Sequence, residues 1–251
     1  MLQYYVHWRK YDLCANVNYP FTRKGIMKTV LSQNIPAYNG IYNRYIKRFL
    51  DVVFSLCALA IVWPVYLIIA VCIALEDGFP VLYRAERGGY MGKTFQICKF
   101  RSMVRNADKI GGGTTSFHDS RITRVGNVLR KTKLDEIPQL WQVLTGKMSI
   151  IGPRPELLQY VSAYQGEELD ILKVRPGITD FSSVEFINLD EIVGDQNADE
   201  MYEKLVLKKK NALRVKYAHS VSFRTDLYIL FKTFAAVLSK CFGFIVKKEH
   251  R

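Results

Sequence analysis

Asp135 and Glu136 stand side by side in Leu134-Asp135-Glu136-Ile137-Pro138-Gln139-Leu140. Arg121, Arg124, Arg130, Lys131 and Lys133 precede them, and Gly152-Pro153-Arg154-Pro155-Glu156 follows. Adjacent carboxylates in so basic a neighbourhood suit phosphate chemistry. One carboxylate can attack phosphorus while its neighbour holds a divalent metal, and the cations offset the phosphate charge that repels the nucleophile. The plainer reading is a solvated acidic pair near a helix start, where the helix dipole favours carboxylates anyway. His7, His118, His219 and His250 are scattered without any pairing spacing, so no histidine-based site competes.

Two glycine-rich stretches invite other readings. Arg87-Gly88-Gly89-Tyr90-Met91-Gly92-Lys93-Thr94 comes close to a phosphate-cradling GxxxxGK[ST] loop, but arginine occupies position 87, where the motif needs glycine, and no strongly apolar strand leads into it. It reads better as a hairpin turn. The run Ile110-Gly111-Gly112-Gly113-Thr114-Thr115 is too glycine-rich for a regular element and reads as a loop.

Several elements must position the acidic pair. From Val125 to Thr145 apolar residues recur at helical spacing, and Gly146 suits a C-terminal cap. Pro138 falls inside that pattern, which predicts a break after Glu136 or a new helix with Pro138 in its first turn. Residues 80–104 read as short strands around a turn, with Phe95, Ile97 and Phe100 among basic residues. Residues 197–218 form a second helical stretch. A third, Phe223 to Phe244, is apolar over most of its circumference but carries Arg224, Lys232 and Lys240, with Lys247 and Lys248 just beyond. That pattern fits an interfacial helix, with a core helix as the alternative.

From Val52 to Leu75 there are 24 consecutive residues without a charge, long enough to span a bilayer. The stretch starts too far into the chain, and is too long, for a cleavable signal peptide. Trp63-Pro64 lies in its middle, and proline removes a backbone donor and clashes with the preceding turn, which predicts a bend. Each arm then reaches roughly 17–18 Å, about half the hydrocarbon thickness, so a helix that enters and returns is physically allowed. Arg44, Lys47 and Arg48 precede the segment and Arg84 and Arg87 follow it, so both flanks look cytoplasmic under the positive-inside rule. A kinked span, a re-entrant path and a buried core helix all stay open on these grounds.

The chain of 251 residues is 49% hydrophobic with a formal charge of +13, which excludes a disordered or collagen-like chain and favours anionic partners. Acidic excess is confined to residues 161–207, with 11 acidic against 3 basic residues. The basic remainder surrounds the apolar segment, as expected of a surface held against lipid headgroups or a nucleotide. No RNP-like, zinc-finger or basic-zipper spacing is present, so nucleic acid is not the expected partner. The five cysteines, at 14, 57, 72, 98 and 241, form no CxxC or His/Cys cluster, which argues against a disulfide framework or structural zinc and for a reducing cytosol.

A set of motifs in fixed order carries a resemblance. They are Lys47-Arg48-x-x-Asp51 before the proline-broken segment, Lys99-Phe100-Arg101-Ser102-Met103, Asp119-x-Arg121-x-Thr123-x-x-Gly126-x-x-Leu129-Arg130, Leu134-Asp135-Glu136-x-Pro138-Gln139, Met148-Ser149-x-x-Gly152-Pro153-Arg154-Pro155 and Arg175-Pro176-Gly177-Ile178-Thr179. From about residue 44 to 240 the chain resembles the bacterial sugar transferases, more narrowly the monotopic polyprenyl-phosphate glycosyl-1-phosphate transferases. Trp63 stands where the family often has serine, and Lys133 where serine or threonine is common.

The resemblance implies an α/β, mostly helical, monotopic membrane enzyme with a re-entrant helix hairpin and a small cytosolic catalytic domain. It implies transfer of a sugar-1-phosphate from a UDP-sugar to a polyprenyl phosphate such as undecaprenyl phosphate, releasing UMP, with Mg2+ as cofactor. The setting is the cytoplasmic face of the bacterial inner membrane, beside anionic lipids. Asp135 is then the nucleophile and Glu136 the catalytic partner that binds the metal, while Arg130 and Arg154, with Arg101 and Arg175, bind substrate phosphates. The expected organisation is an extension of unassigned role at 1–43, a re-entrant helix at 44–78, a catalytic domain with interfacial helices at 79–240 and a basic tail at 241–251. A homo-oligomer is left open. A one-step ternary-complex transferase with Asp135 as general base, and a non-enzymatic basic membrane-tethered adaptor, are the alternatives.

Overall fold

The computed structural model describes residues 36–110, 119–194 and 197–249, without side-chain detail at 108, 109, 190, 191 and 241–249. The expectations for residues 1–35, for the glycine run after Ile110 and for the side chains of the 241–251 tail lie outside the described residues. Pro36–Arg251 forms one compact unit by backbone contacts.

The long apolar stretch folds as helix α1, Lys47–Asp77, entered through a π-helical turn at Tyr42–Ile46. It runs through Pro64 as a single helix of 31 residues, so two separate arms are not seen. A proline in mid-helix removes only its own donor, and the flanking turns continue on the bonds that remain. Gly78, at φ 72°, ends the helix and donates to the Ala74 carbonyl. Much of α1 is uncovered: Phe54, Leu56, Ile61, Trp63, Leu67 and Ile68 are all exposed. By length and composition it is apolar enough to cross a membrane.

Both ends of α1 are tied into the same domain. At its start, Lys47 Nζ lies 2.5 Å from Asp226 Oδ2, which also accepts from the Tyr42 hydroxyl at 2.7 Å. Asp51 Oδ1 accepts from the Ile150 amide, and Arg48 donates to the carbonyls of Val143 and Leu144. At its end, Glu76 accepts the amides of Arg124 and Val125, and Asp77 pairs with Arg101.

After α1 comes the antiparallel hairpin read from the sequence: β1, Leu82–Gly88, pairs with β2, Thr94–Phe100, from Leu82 opposite Phe100 to Gly88 opposite Thr94. The pseudo-phosphate loop is its turn, closed by Met91 and Gly92 at positive φ. Helix α2, Arg124–Thr132, starts at Thr123, whose side chain accepts from the Gly126 amide, and stops at Lys133, at φ 61°. Of the two alternatives read from the sequence, the break comes three residues before the one placed after Glu136, at Lys133 in the left-handed conformation, and the new helix starting at Pro138 is present. A 3-10 turn, Leu134–Glu136, leads into α3, Gln139–Leu144, with Pro138 at its cap. Gly146, at φ 82°, terminates α3 as expected.

Strand β3, Ser149–Ile151, pairs in parallel with β4, Gly177–Thr179. The backbones approach so closely at Gly152 and Gly177 that a Cβ on either would overlap the other chain segment. A helical stretch then runs from Ala198 to His219 and ends in α4, Lys208–His219. The last helix, α5, Phe223–Glu249, buries Ile229 and Asp226 but leaves Phe223, Leu227, Phe231, Phe234 and Leu238 exposed at helical spacing. The described residues are therefore mostly helical, with two small two-stranded sheets.

Candidate active site

The acidic pair sits on the 3-10 turn between α2 and α3 and is buried, Asp135 at 7% and Glu136 at 8% exposure. Leu134 and Ile137, on either side of it, pack with Ile69 and Ile73 of α1, Phe100 and Leu129. The turn is thus seated on the membrane-type helix by its own apolar flanks.

Cations converge on Glu136 from two directions. Arg154, from the loop after β3, donates through Nη1 to Oε2 at 2.9 Å and through Nη2 to Oε1, while Lys99, near the end of β2, lies 3.2 Å from Oε1. Arg154 is held in turn by the Ile178 carbonyl at 2.8 Å and, through its amide, by Asp180. The parallel β3–β4 pairing supplies both partners. Burial alone would raise the pKa of Glu136, but Arg154 and Lys99 outweigh it and hold this carboxyl well below the usual range. Asp135 is pushed upward by burial, against the pull of Lys99 and with the added repulsion of Glu136. Its Oδ1 is buried without a hydrogen-bond partner.

Both carboxylates line a cleft of about 1350 Å³, with Arg154, Arg130, Arg101 and Lys99 in its walls. The cleft brings together most of the residues singled out from the sequence. The Arg130 guanidinium makes no hydrogen bond or ion pair among the described residues, so it is available to a ligand. Arg101 uses Nη2 on the Asp77 and Gly78 carbonyls, while its Nε and Nη1 are buried without partners. Arg175 does not reach the cleft lining: its Nε points to the Gly146 carbonyl and its guanidinium lies 5.0 Å from the centre of the Tyr90 ring.

Other site residues had no role in the sequence reading. Lys99 continues the strand register of Phe95 and Ile97, which pack with Val143 and Met148; a lysine in that inward register was the available signal. Behind Arg154, Glu156 accepts from Arg214 at 2.8 Å and from the Tyr202 hydroxyl at 2.5 Å, and Lys210 donates to Tyr202 at 3.1 Å. Arg214 and Lys210 offset the burial of Glu156 and hold its pKa at about 2. Nothing in local spacing marks this network, because Glu156 and Arg214 are far apart in the chain.

Unpaired guanidinium edges around a clamped carboxylate and an unpartnered one suit, as a class, an enzyme site that handles phosphate groups. Comparison with known proteins agrees. The bacterial sugar transferase pattern matches residues 42–240. The chain is 38% identical over 196 residues to the UDP-glucose:undecaprenyl-phosphate glucose-1-phosphate transferase of Escherichia coli, covering 76% of this chain and 40% of that protein. It is 34% identical over 198 residues to the UDP-N-acetylgalactosamine-undecaprenyl-phosphate N-acetylgalactosaminephosphotransferase of Aeromonas hydrophila, covering 78% and 44%. A UDP-glucose:undecaprenyl-phosphate glucose-1-phosphate transferase of Caulobacter vibrioides is 35% identical over 196 residues, covering 77% and 70%. The chain thus spans less than half the length of the first two relatives. It belongs to the bacterial sugar transferase family.

Proposed function

We propose that this chain transfers a sugar-1-phosphate from a UDP-sugar to undecaprenyl phosphate, at the cytoplasmic face of the bacterial inner membrane, through a covalent intermediate on Asp135. The observation that carries this reading is the division of labour in the acidic pair. Glu136 is clamped by Arg154 and Lys99, whereas Asp135 keeps a buried, unpartnered oxygen in the same cleft. A desolvated carboxylate oxygen is a competent nucleophile once the charge on its target is offset.

In the first displacement an Asp135 oxygen bonds to the β-phosphorus of the UDP-sugar, the bond to the bridging oxygen breaks, and UMP leaves with that oxygen. In the second, an oxygen of undecaprenyl phosphate attacks the same phosphorus and Asp135 departs as the free carboxylate. Arg130 and the open edge of Arg101 hold the phosphates. Arg154 fixes Glu136 and presents its positive charge to the cleft.

Magnesium, when bound, supplies further offset for the diphosphate charge. Among the described residues no group of three or more metal-ligating side chains is present. That donor set still suits this ion, which takes one or two carboxylates and fills its shell with water and phosphate oxygens. Asp135 and Glu136 are the residues that would hold it.

The re-entrant course of α1 is supported by its two ends. Arg48 and Glu76 both bond to the same domain, on α3 and α2, an arrangement in keeping with both mouths of the apolar helix lying on one side. The exposed apolar stripe of α5, flanked by Arg224 and Lys232, then suits an anionic lipid surface.

The upward push on the pKa of Asp135 favours a second reading, in which it serves as general base in a one-step transfer. Assay of a panel of UDP-sugars for UMP release, with and without undecaprenyl phosphate and magnesium, tests the reaction. Release that needs both lipid and metal supports it, and a burst of UMP without lipid favours the covalent route. No release with any sugar defeats the reading.

A further inference from the structure

The acidic pair lies between two short helices whose outer ends are both gripped by α1. At the entry to α2, Glu76 accepts the Arg124 amide through Oε1 at 2.8 Å and the Val125 amide through Oε2 at 3.0 Å. At the exit of α3, Arg48 donates through Nη1 to the Val143 carbonyl at 2.5 Å and through Nη2 to the Leu144 carbonyl at 2.7 Å. These are the backbone groups that a helix cannot satisfy internally: amides at its start and carbonyls at its end. The charges also match the helix dipoles, a carboxylate at an N-terminus and a guanidinium at a C-terminus. Between the two grips, Leu134 and Ile137 rest on Ile69 and Ile73 of α1. Helix α1 therefore touches the unit carrying Asp135 and Glu136 at its start, its middle and its end.

We infer that Arg48 and Glu76 are positioning residues for the reaction, and that α1 acts as a splint fixing the spacing of α2 and α3 and with it the aim of Asp135. The reaction in question is the transfer proposed above, so the kinetic part of this inference rests on that reading. Neither residue lines the cleft, so neither acts on substrate directly. The mechanism is geometric. Freeing either grip lets the 3-10 turn drift relative to Arg154 and Lys99, which are carried on other elements, and small misplacements of a reacting group are costly in rate.

The test uses the full chain in lipid nanodiscs with two mild variants, Glu76→Gln and Arg48→Lys. Glutamine keeps one acceptor and loses the second; lysine keeps the charge but replaces a two-pronged donor with a single head. Each variant is sufficient should the other fail to fold. The first measurement is amide hydrogen exchange at Glu136 and Ile137, which donate to the Lys133 and Leu134 carbonyls, against the amides of the β1–β2 hairpin. Local loosening predicts exchange about tenfold faster in the turn with the hairpin unchanged. The second is the kinetic split: kcat for UMP release falls about tenfold to a hundredfold while KM for the UDP-sugar stays near the wild-type value. Turn exchange at the wild-type rate in the variants overturns the inference, as does equal acceleration of turn and hairpin, which signals global destabilisation. If the wild type releases no UMP from any UDP-sugar, the functional reading fails, and the exchange data still decide whether α1 splints the turn.

Discussion

Arg154 and Glu136 form a two-pronged ion pair across 18 positions of sequence, and the Arg154 Nη1 that reaches Oε2 at 2.9 Å also donates to the Ile178 carbonyl at 2.8 Å. The guanidinium is thus fixed in plane by the β4 backbone before it meets the carboxylate. A lysine could satisfy one of these contacts but not the set, because its head is a point charge and not a fork. We expect Arg154→Lys to lower UMP release at least about tenfold with the protein still folded.

That pair also sets a pH dependence. Arg154 and Lys99 hold Glu136 below its ordinary value of 4.5, so the stability it contributes is present above that value and is lost as pH falls through its lower folded-state value. In Arg154→Ala only Lys99 and Lys133 remain against burial, the folded-state pKa rises, and that contribution is lost at higher pH. Thermal melting of wild type and Arg154→Ala between pH 3 and pH 8 should show the variant failing earlier on the acid side. Parallel curves would mean that the ion pair is not what keeps Glu136 charged.

Lys210 gives the opposite sign. Burial, joined by the positive charge of Arg214, lowers its pKa from 10.5 to about 7. The unfolded chain binds this proton up to 10.5 and the folded chain only up to about 7, so this residue costs stability most fully below 7, and the cost fades as pH rises to 10.5. Lys210→Met should therefore raise the melting temperature most near pH 6, with the gain shrinking towards pH 10. At about 1.36 kcal/mol per unit the maximum effect is on the order of a few kcal/mol, less the lost bond to Tyr202. A gain independent of pH would place the benefit in packing alone.

Topology can be read directly at the two ends of α1. Tyr45 and Phe79 flank it and are exposed, at 64% and 72%. In a background lacking the native cysteines, Tyr45→Cys and Phe79→Cys should both react with a membrane-impermeant thiol reagent only from the cytoplasmic side. Reaction from opposite sides would establish a span. Pro64→Leu restores a backbone donor in mid-helix and should shift part of the population towards spanning, since 24 uncharged residues are long enough to cross.

What the sequence revealed follows from how far apart the interacting residues lie. The β1–β2 hairpin could be read from alternation and glycines, and the cations beside Asp135 and Glu136 from their closeness along the chain. The partnership of Lys99 with Glu136 spans 37 positions and depends on the hairpin packing beside the 3-10 turn. The grip of Glu76 on Arg124 spans 48 positions and leaves no local pattern at all. Arg175 shares a motif with Gly177 and Thr179, yet its side chain leaves β4's neighbourhood for the Gly146 carbonyl and the Tyr90 ring. Spacing along a chain does not reveal which way an arginine turns. Pro138 marks the start of α3, but the end of α2 leaves no such mark, because a lysine adopts the left-handed conformation at 133, where glycine or asparagine is the usual stop signal.

The acidic pair carries the sharpest prediction. Asp135→Asn preserves shape and burial but removes the nucleophilic charge, and it should lower turnover about a thousandfold or more while UDP-sugar binding persists. Glu136→Gln leaves Arg154 and Lys99 facing a neutral amide and should cost about a hundredfold, through a misdirected Arg154 and a lost metal donor. Wild type incubated with labelled UDP-sugar in the absence of lipid should release one UMP per site and retain label, and peptide mapping should find sugar phosphate on Asp135. The adduct should disappear on adding undecaprenyl phosphate, because the acceptor attacks the same phosphorus and frees the carboxylate. In steady state the two-step route gives parallel double-reciprocal lines, whereas a ternary complex gives converging ones. Converging lines with neither burst nor adduct would exclude Asp135 as nucleophile and leave it the role its raised pKa permits, a general base in direct transfer.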